Sequence, residues 1–179
     1  GMPIAALESA VKPTWTGFGE MLDHFDGQCA INMAFMVGHS ALRRAVMGER
    51  ACAEAASADD LAAMEKLLRK SLGEGGMGFS TSTSVSHSDH MGNPVPSRFA
   101  SEEELLTLCR AVSDYAGTWL EIVPGVGPFD EKDYERLTQM SLAAQRPLNW
   151  NLIVVRSQQR ELLDSQIALG HIAAERGAK

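Results

Sequence analysis

With 179 residues, 45% of them hydrophobic, the chain can bury a real core and reads most simply as one domain over residues 1–179. A formal charge of -7 and a pI near 5.2, without any Lys/Arg run, argue against nucleic acid and anionic membrane surfaces as partners. Cys29, Cys52 and Cys109 are too scattered for a disulfide framework or a CxxC zinc site, and neither an apolar run of roughly 18 residues nor a signal-peptide pattern occurs, so a soluble protein of the reducing cytoplasm is expected.

In chain order, Trp15, Phe18, Leu22 and Phe25 fall on one helical face, which Gly27 ends; the stripe is predicted to be core, with His24 on the surface beside it. The apolar run from Ala30 to Val37 is too short for an amphipathic helix. It breaks at Gly38 and His39, and a helical pattern begins at Ser40. This spells a β-strand that delivers His39 to its C-terminal end, the edge where ligands and chemistry collect in parallel α/β folds. His39 is therefore the leading functional candidate. The plainer alternative uses Ser40 as a helix N-cap and bonds the His39 ring to a loop carbonyl.

A polar helix to Gly48 is followed by a second helix, capped by Ser57 and Asp60, with Leu61, Met64, Leu68 and Leu72 on one stripe. Residues 77–82, MGFSTS, fit a short strand carrying Ser80 and Ser82. Beyond them runs a Ser/Thr/His/Asp/Gly/Pro stretch without periodicity, of the kind that is functional or disordered. It leaves the C-terminal end of a strand and so reads as an active-site loop. Its His87, Asp89 and His90 invite a metal reading, against the ordinary one of a solvated polar loop.

Ser101 and Glu104 form a capping-box pattern ahead of Leu105, Leu108, Val112 and Tyr115, and Gly117 stops that helix. The third strand, TWLEIV, places Glu121 on the same side as Trp119 and Val123, facing either a polar interior or an arginine. Asp130 caps a helix with Tyr134, Leu137, Ser141 and Ala144 inward. The last strand, PLNWNLIVV, puts Asn149, Asn151 and Ile153 on one face and Trp150, Leu152 and Val154 on the other. Two asparagines on an apolar strand need polar partners, so they are placed toward a wet cavity. Ser157 then opens a long helix through Leu163, Ile167, Gly170 and Ala174.

Four strand-helix units with short connections indicate parallel right-handed crossovers in an α/β sheet or barrel. Four units do not close an eight-stranded barrel. No GxGxxG or GxxxxGK[ST] loop follows any strand, which weakens a nucleotide-binding sheet. No G-x-S-x-G elbow supports Ser80 or Ser82 as a nucleophile.

The segments VGHSALRRAVMG, ADDLAAMEKLLRKSLGEGGMGFSTS and HMGNPVPSRFASEEELLTLCRAV together resemble the middle of the amidohydrolase 3 family, which includes the N-acyl-D-amino-acid deacylases, from about Trp15 through Arg146. The resemblance implies a central fragment, about half, of a TIM-like barrel whose full-length members hydrolyse linear amide C–N bonds with bound zinc. The chain departs from the family in its ligands. It has no HxH motif, and the strands TWLEIV and PLNWNL lack the histidines that ligate metal in such deacylases. The resemblance thus implies a fragment that binds no zinc by itself and is inactive alone. On this reading His39, Ser80, Ser82, Glu121, Asn149 and Asn151 line the pocket for a small-molecule substrate, and His87, Asp89 and His90 lie on an active-site loop. Unpaired edges of a half barrel predict a homodimer. The alternative is a non-catalytic half-barrel binding or assembly module.

Overall fold

The computed structural model describes residues 4–179, Val126, Leu152, Val154 and Arg156 excepted. Its frame is a four-stranded parallel sheet in the order β1 (Val37–Gly38), β2 (Gly78–Ser82), β3 (Trp119–Val123), β4 (Leu148–Trp150). Helices α1 (Ile4–Ala10) and α2 (Phe18–Phe25) precede it. The crossovers carry α3 (His39–Met47) with α4 (Ala58–Gly73), then α5 (Glu102–Val112), then α6 (Glu131–Ala144), and α7 (Arg160–Glu175) follows β4. Each strand is laid beside the previous one without a reversal of order. That is how a barrel wall grows, whereas a doubly wound sheet reverses at a switch point.

The middle of the sheet is the best-specified part. β2 and β3 pair along their whole length, from Gly78 opposite Trp119 to Ser82 opposite Val123. Gly78 has φ +150°, and a Cβ there would lie 1.9 Å from the Trp119 carbonyl oxygen, so only glycine permits this approach. Along β3, Leu120 and Ile122 are fully buried while Trp119, Glu121 and Val123 alternate to the half-buried side. The buried side meets Met64 and Leu68 of α4, Leu108 and Val112 of α5 and Met140 of α6 in one core. Each such side chain contributes about 1.5–3 kcal/mol on burial. Ser57 with Asp60 and Asp130 with Asp133 form reciprocal capping boxes that start α4 and α6.

Several elements differ from the sequence expectations. The run from Ala30 does not form a long buried strand. Only Val37 and Gly38 join the ladder, one further bond links the Met77 N–H to the Phe35 carbonyl, and Ile31 and Met33 are 73% and 51% exposed. β1 is an edge, so one side of its backbone has no strand to pair with. The stripe Trp15, Phe18, Leu22 and Phe25 is half-buried: Phe18 packs against the main core, while Phe25 stacks on Phe35 at 5.3 Å outside it. β4 ends at Trp150, with one further bond from the Asn151 N–H to the Ile122 carbonyl; the expected partners Leu152 and Val154 fall outside the described residues. Ser157 begins a 3-10 turn, and α7 starts at Arg160. It buries Gln166, whose amide donates to the Gly127 carbonyl, and Leu169; the anticipated Ile167 is exposed, while the anticipated Gly170 and Ala174 line the same groove as Leu169, Leu137 and Trp150. No helix among the described residues is long and apolar enough to cross a membrane.

Candidate active site

Gly38 ends β1 and stands at the N-cap of α3, which makes His39 the first helical residue and turns its ring into the protein. Nε2 lies 2.8 Å from Oε1 of Glu104, and Nδ1 lies 2.8 Å from the Thr81 hydroxyl. An ionised carboxylate can only accept, so Nε2 carries the proton, and the Nδ1 of a neutral ring accepts from Thr81. One turn along α3, Arg43 donates to the other Glu104 oxygen and to the carbonyls of Ala51 and Glu54. His39, Arg43 and Glu104 are 1%, 0% and 1% exposed.

Burial pushes the His39 pKa down, against the opposing pull of Glu104, and keeps the ring neutral. For Glu104, burial acts upward, but the hydrogen bonds and charges of His39 and Arg43 together outweigh it and hold the carboxyl below its usual range. The cluster is closed. Both His39 nitrogens are engaged, so the ring braces α3, β2 and α5 together and has no lone pair free for a proton or a metal.

The plainer alternative for this turn differs from the structure as well. The Ser40 hydroxyl accepts the N–H of Ser97, and the Ser97 hydroxyl donates to the Ser82 carbonyl, which fastens the loop after β2 onto α3. That loop is not structureless. Ser88 and Pro94 form an antiparallel bridge, and residues 96–99 form a 3-10 turn. Between the bridge partners the Asp89 carboxylate accepts the N–H groups of Asn93 and Met91 and the Asn93 amide, and these bonds, Asn93's first, hold it below the usual aspartate range. Asp89 thus closes its own turn. His90 is exposed on the same turn.

At the C-terminal ends of the strands lies a cavity of about 270 Å³, and His39, Ser80, Ser82, His87 and Glu121 are among the residues that line it. In the ladder Ser80 stands opposite Glu121, and Glu121 opposite Asn149. Glu121 Oε1 accepts from the Asn151 side-chain amide at 2.7 Å, and among the described residues no arginine pairs with it. Ser82 is buried and donates to the Val123 carbonyl. Asn149 is exposed, and Asp89 and His90 are not among the lining residues. Arg43, Thr81, Ser97 and Glu104 escaped the sequence reading as site components. The one local signal was His39 and Arg43 four apart on a helix face, with Glu104 concealed as a cap residue.

Among the described residues no three or more His, Cys, Asp or Glu side chains gather so as to hold a metal ion. The donor chemistry agrees with that geometry: His39 is spent on Glu104 and Thr81, Asp89 on its turn, and Glu121 stands beside an amide. The described residues therefore do not by themselves fit a zinc centre.

Comparison with known proteins places this arrangement in a family. The model of the amidohydrolase family matches residues 9–175. D-aminoacylase of Alcaligenes xylosoxydans xylosoxydans is 30% identical over 118 residues, which is 65% of this chain and 22% of that protein. A D-aminoacylase crystal structure described as defining a novel subset of amidohydrolases matches with TM-score 0.68 and 25% identity over 89% of this chain and 32% of its own. The N-acyl-D-glutamate deacylase of Bordetella bronchiseptica, complexed with zinc and a phosphonate mimic of the tetrahedral intermediate, shares the fold with TM-score 0.68 at 22% identity, over 94% of this chain and 34% of its own. The chain thus spans about a fifth to a third of the length of these relatives. Its four parallel strands correspond to part of their barrel. With the family model matched across nearly its whole length, the chain belongs to the amidohydrolase family.

Proposed function

We propose that residues 1–179 act as one domain that forms part of the active-site wall of an amidohydrolase cleaving the C–N bond of a linear, N-acyl amino acid-like small molecule. The observation that carries this reading is the convergence of Ser80 and Glu121 on one cavity at the strand C-termini of a D-aminoacylase-like chain, with the Asn151 amide bonded to Glu121 although Asn151 itself does not line the cavity. Within that wall Glu121 accepts a hydrogen bond from the substrate, Asn151 fixes the direction of its carboxylate, and Ser80 offers a hydroxyl beside it. A zinc ion held by a completed site would supply Lewis-acid activation of the amide. This chain's donors do not complete such a centre, so its own contribution is positioning. Alone, it binds no zinc and is inactive.

The same reading places the protein in the cytoplasm. It also expects a homodimer, because among the described residues no strand pairs with the outer edges of β1 and β4, and Ile31, Met33, Ile153 and Val155 are exposed. Those exposed groups equally favour a second reading, a half-barrel assembly module without chemistry.

The purified chain and a longer protein that contains this segment together test these points. The purified chain is sized by light scattering, analysed for zinc after dialysis, and assayed for amino acid release from N-acetyl-D-amino acids with and without added zinc. The expected result is a zinc-free, silent dimer, with release from a longer protein that contains this segment. A monomer removes the dimer, one tightly held zinc removes the positioning-only role, and turnover by the chain alone removes its inactivity. Silence of the longer protein on every N-acyl amino acid favours the module.

A further inference from the structure

We infer that the substrate group meeting Glu121 is a hydrogen-bond donor, an amide N–H or an ammonium, and that a substrate carboxylate is turned away from this wall. The inference rests on the reading of the cavity as a substrate site and deepens it.

Charge balance carries it. With His39 neutral and His87 on the exposed rim, Glu121 is the one carboxylate lining the cavity of about 270 Å³, and no lysine or arginine lines it among the described residues. None of the arginines nearby lines this cavity, and Arg43 and Arg136 are paired with carboxylates. Arg43 is buried on Glu104. Arg98 and Arg136 line a neighbouring cavity of about 280 Å³, where Arg136 pairs with Glu102 and Asp133 and Arg98 donates to the His87 carbonyl.

Glu121 has no ion-pair partner among the described residues, and Asn151 occupies one of its oxygens at 2.7 Å. A carboxylate offers about four lone-pair directions, so most of its accepting capacity is left for a ligand. Half-burial strengthens both sides of the choice. A donor gains a charge-assisted bond there, whereas a second carboxylate meets an unscreened like charge.

The test uses three probes that differ at one end: N-acetylethylenediamine (ammonium), N-acetylglycinamide (neutral donor) and N-acetylglycine (carboxylate). Each is titrated into the ¹⁵N-labelled chain while the Asn151 side-chain NH₂ and the Ser80 and Glu121 backbone amides are followed. The ammonium and amide probes are expected to shift these resonances, with the ammonium binding about tenfold or more tighter than the carboxylate. Glu121→Gln should shrink that preference to within about twofold, while Glu121→Asp retains it. Preserved spectral dispersion confirms that each variant is folded.

Equal or tighter binding of N-acetylglycine, no shift with any probe, or a preference that survives Glu121→Gln overturns the inference. Failure of the underlying reading looks different. A donor preference at Glu121, without amide hydrolysis by any longer protein containing the segment, removes the amidohydrolase assignment of the cavity and leaves the charge selectivity standing.

Discussion

Two carboxylates, Glu104 in the first turn of α5 and Glu121 in β3, meet opposite fates. Glu104 is sealed, 1% exposed, and both its oxygens are taken by His39 and Arg43. Glu121 is half-buried, holds one amide, and opens onto a cavity. The difference teaches that chemical conspicuousness in sequence and chemical availability in the fold are separate properties. His39 is the more conspicuous residue, yet its two nitrogens are consumed by structure. Glu121 interrupts an apolar strand without any motif around it, and it lines a cavity with one side-chain bond among the described residues, to the Asn151 amide.

The largest effect should come from breaking the sealed cluster. Glu104→Gln leaves the Arg43 charge buried without its counter-ion, and such a loss destabilises by about 3–5 kcal/mol. Urea unfolding would read it directly. Removing both charges in Arg43→Met/Glu104→Gln should restore most of the stability, since the uncompensated charge carries the cost. A double variant as unstable as the single would show that packing, not charge, governs the cluster.

Acidification should separate the two regions next. The folded His39 ring resists protonation, so the unfolded chain takes up that proton first. Stability is therefore fully present above the ordinary value of 6.5 and falls as pH drops below it, by up to about 1.4 kcal/mol per pH unit, until the lowered folded pKa is passed. Glu104, also held below its ordinary 4.5, adds a further loss at lower pH with the same sign. Unfolding measured at pH 8 and pH 5.5 should show a decline in the wild type that His39→Gln flattens. An unchanged slope in the variant would assign the proton to another group.

The smallest effect belongs to the open region. Glu121→Gln keeps an oxygen for the Asn151 amide and unpairs no buried charge, so its unfolding midpoint should stay within about 0.5 kcal/mol of wild type. A loss approaching that of Glu104→Gln would mean that Glu121 is structural after all, and the comparison between the two carboxylates would collapse.

What could be read from sequence was what is encoded within a few residues. Ser57 with Asp60 and Asp130 with Asp133 start helices as their spacing indicates, and Leu120 and Ile122 alternate against Glu121 as a strand must. Ser101 also caps α5 as its pattern implies, but Glu104 does not return the bond. Misreadings fell where a segment has an edge or a single packed side. β1 shrank to two residues, α7 turned its Gln166 and Leu169 inward, and Asp89 folded its own loop shut. In each case a neighbouring surface, or its absence, chose among conformations that the local residues permit equally.

By itself, then, the sequence determined the alternation of strands and helices, the caps that begin three of those helices and the family pattern, because propensity, capping and hydrophobic period act over one or two turns. Only the tertiary structure decided which polar groups are spent and which are free. The bonds that spend them join residues 65 apart, His39 to Glu104, and 61 apart, Arg43 to Glu104, across elements that meet only once the sheet has formed. Burial then makes an unpaired charge costly enough that these partners stay paired and leaves Glu121, on the other side of the strands, facing the cavity.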